Sequence, residues 1–239
     1  MKAVVLCSGG IDSVTLAYRI AAEHGLERLI SFDYGQRHRR EIEHAAGIAA
    51  ALNARHDVVD IAGLGRFLTS SSLISGGDAV PDGHYAEDNM KSTVVPNRNA
   101  IMLSIAFGIA AGAKADAVGI AVHSGDHFIY PDCRPAFVDA FRAMQACALE
   151  GMWEVQLYAP FVGFTKADIV REGSRLGVPY EKTWSCYKGA EKHCGRCGTC
   201  VERREAFHLA GVPDPTVYED PDYWIGAIAK MKADNKKGG

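Results

Sequence analysis

Two groups of residues in this sequence have the types and spacing to do chemistry. The first is Ser8-Gly9-Gly10-Ile11-Asp12-Ser13, placed directly after the apolar run Lys2 to Cys7 and ahead of a helical pattern. Glycines let the backbone turn tightly and approach a ligand, and the helix start behind them offers unpaired N–H groups and a positive dipole end. Such a loop suits an anion, and Ser8 and Ser13 add hydroxyl donors. Asp12 is unusual beside a phosphate unless it caps the helix or meets a magnesium ion. The sequence contains neither the Gly-x-x-x-x-Gly-Lys-[Ser/Thr] phosphate-loop pattern nor the Gly-x-Gly-x-x-Gly dinucleotide pattern. A second Ser-Gly-Gly, Ser75 to Gly77, has no strand before it and no helix after it, and reads as loop.

The second group is Cys186-x7-Cys194-x2-Cys197-x2-Cys200. Four thiolates at this spacing suit tetrahedral zinc in a closed structural site. An iron–sulfur cluster competes, because Cys-x2-Cys-x2-Cys also occurs in ferredoxin-type runs followed by a fourth Cys and a Pro. Here Arg203 and Arg204 follow instead and the fourth Cys lies upstream, which favours zinc. A metal there would fix Thr183 to Cys186 against the edge of a sheet. His193 reads as a neighbour of the site. Of the other cysteines, Cys7, Cys133 and Cys147, Cys133 beside Arg134 could be an activated thiol, but a small buried residue is the simpler reading of it.

The elements that must position these groups can be read from periodicity. Strands are expected at Lys2 to Cys7, Arg28 to Phe32, Arg55 to Ile61, Asp116 to Val122 and Val155 to Tyr158. Helices are expected from Asp12 or Ser13, as cap, to His24, and at His38 to Asn53, Asn97 to Gly112, Arg134 to Leu149, Lys166 to Leu176 and about Val201 to Leu209. Ser70 to Pro96 reads as a long loop of a length that is usually functional or mobile, and the end of the chain as a Pro- and Asp-rich tail that frays at Lys236 to Gly239. Alternation of strand and helix predicts an α/β fold: a doubly wound, mostly parallel sheet of about five strands, with ligands at the carboxyl ends of the strands. Residues 1–178 form that domain, and residues 179–239 form a zinc-binding appendage packed on it.

With 239 residues, 48% hydrophobic and 23% charged, the chain can bury an ample core. A net charge of −3 gives no global basic field, so no nucleic-acid partner is expected, and Arg196, Arg203 and Arg204 read as a solvated basic face. The longest apolar run, Ala100 to Ala113, is shorter than the ~18 residues of a membrane span, and Met1 to Cys7 is too short for an export signal. Clustered cysteines in odd number suit a reducing compartment, so a cytoplasmic location is expected.

Three further segments follow strand ends: Phe32-Asp33-Tyr34-Gly35-Gln36-Arg37-His38, Val95-Pro96-Asn97-Arg98-Asn99 and Tyr130-Pro131-Asp132-Cys133-Arg134. Each joins a rigid aromatic or proline to groups able to bind a planar heterocycle or a phosphate. Taken singly each could be plain surface or turn. The loop at Ser8 resembles the Ser-Gly-Gly-x-Asp-Ser loop of the N-type ATP pyrophosphatases, whose fold is of the adenine nucleotide alpha hydrolase type. With the three segments and the cysteine spacing, the chain from about residue 2 to 210 resembles the 7-cyano-7-deazaguanine synthases of that superfamily. Two departures show. Position 11 is Ile where many members carry Gln, and His123-Ser124-Gly125-Asp126 replaces a Cys-Glu-Thr-Asp type of run.

The resemblance implies a ligase that joins 7-carboxy-7-deazaguanine and ammonia, at the expense of ATP, through an adenylate and an amide to the nitrile. It implies that Leu6, Cys7, Ser8, Gly9, Gly10, Ile11, Asp12, Ser13, Val14, Thr15 and Leu16 cradle ATP with Mg2+. Asp12, Ser13 and Lys166 would be catalytic, although Lys166 also reads as a surface residue of a first helical turn. Tyr34, Gln36, Arg37, Arg98, Asn99, Asp126, Tyr130, Asp132 and Arg134 would bind the deazaguanine, with Asp126, Asp132 and Arg134 on its ring edge. His123 and His127 would flank the pocket and could shuttle a proton. Zinc would take Cys186, Cys194, Cys197 and Cys200. A homodimer is implied, for which the Pro213 to Trp224 arm, with Tyr218, Tyr223 and Trp224 exposed, is the expected interface. Three alternatives stay open: a tRNA sulfurtransferase of the same superfamily, a nucleotide-binding sensor without turnover, and an acyl-adenylating enzyme with another amine acceptor.

Overall fold

A computed structural model describes residues 1–36, 39–65, 67, 71–74, 79–188 and 191–237. Five parallel strands, β1 (Lys2–Leu6), β2 (Gly25–Asp33), β3 (Arg55–Asp60), β4 (Ala117–Gly119) and β5 (Gln156–Tyr158), form one sheet in the order β3-β2-β1-β4-β5. The chain winds outward from β1 to β3, then returns to the other side of β1 at β4. The switch in direction therefore lies between β1 and β4, where a crevice opens at the strands' carboxyl ends.

The pleat of β1 separates two layers of core. Val4 faces α4 (Arg98–Gly112) and α5 (Pro135–Ala148) through Leu103, Phe107, Val138 and Phe141. Ala3 and Val5 face α1 (Ile11–Glu23), α2 (Arg40–Ala51) and α6 (Lys166–Arg175), with Val14, Leu16, Ile48 and Ile169 in that layer. A short turn, α3 (Ala62–Gly65), follows β3.

The C-terminal segment packs on the second layer. Phe207 of α7 (Gly198–Ala210) is 1% exposed and sits edge-on to Tyr180. Gly211 ends α7 in the left-handed conformation. A further helix, α8 (Tyr223–Lys237), replaces the expected tail. It lays Ala227 and Ile228 inward, and Trp224 against His208 and Arg204. Its apolar face is short and its start follows a Pro- and Asp-rich stretch, so the periodicity was hidden. Tyr218, expected exposed, is buried, with its hydroxyl on Asp214 at 2.6 Å.

Several boundaries differ from the sequence reading. β2 begins at Gly25, because Gly25 pairs with Lys2 instead of only ending α1. β4 is confined to Ala117–Gly119 by its short partner β5. The stretch 89–112 is long and apolar enough to cross a membrane by composition. It is two pieces, however: a 3-10 turn (Asp88–Thr93) and α4, separated by Asn97 in the left-handed conformation (φ 60°). The inner face of α4 is core.

Candidate active site

The loop after β1 is shaped by its own backbone. Gly9 takes φ 79°, and a Cβ there would lie 2.3 Å from the Glu41 carbonyl oxygen, so only glycine fits. Gly10, not Asp12 or Ser13, occupies the N-cap of α1, and no side chain caps the helix. Ser13 Oγ instead accepts from the Ser8 N–H at 3.1 Å and donates to the Gly10 carbonyl at 3.2 Å, which holds the loop open for an anion. The Trp184 N–H donates to the Gly9 carbonyl at 2.9 Å, joining the C-terminal segment to the loop.

Asp12 points across the crevice. Its Oδ2 lies 2.6 Å from Lys166 Nζ. Lys166 opens α6 behind a capping box made by Thr165 and Asp168, which fixes where the lysine leaves the backbone. Its side chain is turned inward and mostly buried. Glu202 of α7 approaches the same ammonium at 3.2 Å. Burial alone would weaken that ammonium, but Asp12, Glu202 and Asp126 outweigh it and hold the Lys166 pKa above its ordinary value.

His123 is fully buried beside them. Its Nδ1 accepts from the Gly125 N–H at 3.1 Å, so a neutral ring carries its proton on Nε2. That nitrogen faces Asp126 at 3.5 Å and lies 3.3 Å from Lys166 Nζ. Burial, then the Lys166 charge, holds the imidazole below its usual pKa, so it is neutral at pH 7. Burial pushes the Asp126 carboxyl up to about 6. The ligand atoms of His123, Asp126 and Glu202 lie within 4.8 Å of one another, but the Lys166 ammonium already stands among them.

Asp12, Asp126, Lys166 and Glu202 line one end of a cavity of about 270 Å³, with His123 packed behind them. The other end is aromatic. Tyr34, Tyr130 and Tyr187 surround the half-buried Arg98 at the first turn of α4. Arg98 reaches the Tyr34 hydroxyl at 3.5 Å and, among the described residues, has no carboxylate partner. Tyr130 is fixed by Thr93 at 2.8 Å. Glu41 also lines this end without a hydrogen-bond partner among the described residues. Burial, partly offset by Arg98, pushes its carboxyl up to about 7.

Of the residues expected to hold ATP, Leu6, Cys7, Ser8, Gly10, Ile11, Asp12 and Ser13 line the cavity. Val14 and Leu16 are packed in the core, and Thr15 meets the Tyr180 hydroxyl at 3.5 Å. Burial pushes the Cys7 thiol up to about 11, which makes it packing instead of nucleophile. Gln36 borders the cavity but uses its amide on its own turn, through Phe32 and Tyr34. Arg37 and His38 lie outside the described residues, as does the second Ser-Gly-Gly.

Asp132 and Arg134 do not face the cavity. The Asp132 carboxylate accepts the Asn99 N–H at 2.9 Å at the start of α4, and the exposed Arg134 donates to the His127 carbonyl at 2.8 Å. Asn99, although it lines the cavity, gives its side chain to the Asp132 carbonyl and to Cys133 Sγ. Burial raises the Cys133 thiol far above its usual range, so no thiolate forms there. Glu202 and Glu41 were missed because neither belongs to a motif; a carboxylate in an otherwise apolar helical face was the only signal.

The four cysteines are buried and cluster with sulfurs within 4.8 Å of each other. The N–H groups of Arg196 and Cys197 donate to Cys194 Sγ, both at 3.3 Å, as suits a thiolate ligand of a metal. The cluster does not line the cavity.

Residues 2–211 match the family model described as "Queuosine biosynthesis protein QueC". The chain belongs to this family. It is 64% identical over 237 residues to the 7-cyano-7-deazaguanine synthase of Rhizobium meliloti (strain 1021), covering 99% of this chain and all of the relative. It is 63% identical over the same length to the 7-cyano-7-deazaguanine synthase of Rhizobium rhizogenes (strain K84 / ATCC BAA-868). In fold it is similar to an NMN synthetase from Francisella tularensis, with a TM-score of 0.50, 17% identity, and coverage of 88% of this chain and 77% of that one. QueC membership sets aside the sulfurtransferase and the non-catalytic sensor.

Proposed function

We propose that this QueC-family chain is an ATP-dependent ligase that converts 7-carboxy-7-deazaguanine and ammonia to 7-cyano-7-deazaguanine. One observation carries the reading: a lysine from α6 is drawn to 2.6 Å from Asp12 of the phosphate loop, in a cavity whose far end holds an arginine with no carboxylate partner among the described residues. The near end suits phosphates and the far end a planar acid.

In the first stage a carboxylate oxygen of the substrate attacks the α-phosphorus of ATP and pyrophosphate leaves. Ammonia then attacks the acyl carbon, AMP leaves, and the amide forms. In the second stage the amide oxygen is activated by ATP and lost with its leaving group, and the nitrile remains. Both activations are displacements at phosphorus, where positioning and charge neutralisation supply most of the catalysis.

The loop N–H groups and Lys166 face the charge that develops on the leaving phosphates. Arg98 orients the substrate carboxylate, and Tyr34, Tyr130 and Tyr187 enclose the ring. Glu41, which has no hydrogen-bond partner among the described residues, accepts N–H donors of the ring edge in place of Asp132. Magnesium would supply further neutralisation at the phosphates, and Asp12 Oδ1, a buried oxygen without a hydrogen-bond partner among the described residues, fits it. Zinc at Cys186, Cys194, Cys197 and Cys200 would be structural. The chain is read as a cytoplasmic homodimer that meets its copy through the Pro213 to Trp224 arm, where Val217 is exposed.

A quenched reaction of the chain with ATP, magnesium, ammonium and 7-carboxy-7-deazaguanine, read by mass spectrometry, tests this. Nitrile and nucleotide cleavage products are expected. Adenylate without nitrile would redirect the search to another amine acceptor. No substrate-dependent ATP cleavage would end the reading.

A further inference from the structure

Glu202 enters the cavity from the segment that carries the cysteines. It lies two residues after Cys200, is 7% exposed, and stands 3.2 Å from Lys166 Nζ and 3.9 Å from His123 Nε2. The next residue, Arg203, locks the helix that aims it. Its guanidinium, 1% exposed, donates to Thr183 Oγ1 at 2.7 Å and to the Tyr180 carbonyl at 2.9 Å, and pairs with Asp214 at 3.3 Å.

Room for Glu202 is made on the opposite wall. A Cβ on Gly125 would lie 3.3 Å from Glu202 Oε1 and 2.9 Å from His123 Cε1. A side chain at position 125 would press on both.

We propose that Glu202 is a positioning residue for Lys166: the four-cysteine segment delivers the second carboxylate that holds the lysine head in the cavity. An ammonium has three N–H donors. Asp12 from the phosphate loop accepts one of them at 2.6 Å, Glu202 from α7 pairs with the same head at 3.2 Å from a separate element, and a donor is left for a phosphate. A lysine stem is flexible, so one carboxylate alone would leave the head free to swing about Asp12. The cysteine segment thus acts on the chemistry through a side chain as well as by folding the chain. The kinetic part of this inference rests on the proposed function; the geometric part does not.

The test uses the full chain with its metal, as wild type, Glu202→Gln, Lys166→Met and the double variant. Acetic anhydride labelling, read peptide by peptide, is expected to show Lys166 protected in the wild type and several-fold more reactive in Glu202→Gln, with the other lysines unchanged. The kcat of Glu202→Gln is expected to fall about tenfold, with the KM for ATP within about threefold of wild type. In the Lys166→Met background the same substitution should cost nothing further. Metal content and Tm should stay at wild-type values.

Unchanged Lys166 labelling would overturn the proposal. So would an equal cost in the Lys166→Met background, or a fall in kcat that comes with loss of metal or of Tm. If Glu202→Gln does not fold, Gly125→Ala displaces the same carboxylate and must raise Lys166 labelling. If the wild type turns over no 7-carboxy-7-deazaguanine, the functional reading fails and the labelling still decides the role of Glu202.

Discussion

The two ends of the cavity treat charge in opposite ways. At the phosphate-loop end the protein supplies both signs: Asp12, Glu202 and Asp126 surround Lys166, with His123 kept neutral among them. At the aromatic end, among the described residues, Arg98 has only the Tyr34 hydroxyl and no carboxylate partner, and Glu41 has no hydrogen-bond partner. A network completed by the protein is already ordered before the substrate arrives, as transition-state stabilisation requires. Charges left open are desolvated at a cost that only a ligand of matching charge recovers, as specificity requires. One end is built for chemistry and the other for selection.

The substitution expected to do most damage is therefore Lys166→Met. It removes the cation at the completed end and leaves three carboxylates facing each other. A loss of about 10³-fold in kcat/KM is expected, together with a lowered Tm from the uncompensated carboxylates. AMP release with saturating acid measures the first and a thermal melt the second. A loss of less than about tenfold would move the phosphate chemistry elsewhere.

Arg98→Met should divide the two ends. It keeps the bulk of the stem and removes the charge. A rise of about 10²-fold in the KM for the acid is expected, with the KM for ATP nearly unchanged. An equal rise in both would show that the cavity does not separate nucleotide from acid.

The same division governs what the sequence disclosed. The sheet, its five strands and the loop at Ser8 rest on local pattern: apolar runs, glycines and a helix start. These were legible, and so was the cysteine spacing. The completed end was only half legible. Asp12 belongs to a motif, but its partner lies 154 residues away and Glu202 lies in no motif. Lys166 read equally well as surface, because a first-turn lysine reveals nothing of what packs above it. Asp132 and Arg134 illustrate the reverse. Their place in a strong motif suggested ligand contact, whereas the fold uses Asp132 to tie the start of α4 and Arg134 to tie the loop ahead of α5. Helix α8 went unread because its start is masked by prolines and aspartates.

Gly9→Ala probes the joint between the two ends. The glycine's left-handed φ and its approach to the Glu41 carbonyl oxygen tie the phosphate loop to the helix that carries Glu41. Strain from φ and the contact together should lower stability by about 2–3 kcal/mol. Weaker ATP binding should accompany it, because the loop must move to relieve the clash. Denaturant melts with and without ATP would separate the two. A shift smaller than about 0.5 kcal/mol would mean that the loop yields freely and is not the rigid cradle described.

The smallest effect concerns Glu41 and is set by pH. Burial raises its carboxyl from 4.5 in the unfolded chain to about 7 in the folded one. The folded state then binds the proton more tightly, so stability falls as pH rises between these two values and levels off above the higher one. Water in the cavity reduces the cost, which should be on the order of 1–2 kcal/mol. Glu41→Gln should flatten that slope. Asp126, raised to about 6 beside His123 and Lys166, contributes a similar slope below that value, which the variant leaves in place. Ring-edge recognition runs the other way: the acceptor needed for N–H donors is the ionised carboxylate, so the KM for the acid should fall as pH rises through about 7. The same ionisation that weakens the empty protein prepares it for its substrate. A stability slope that persists unchanged in Glu41→Gln, with a KM that ignores pH, would show that the open end does not use Glu41 at all.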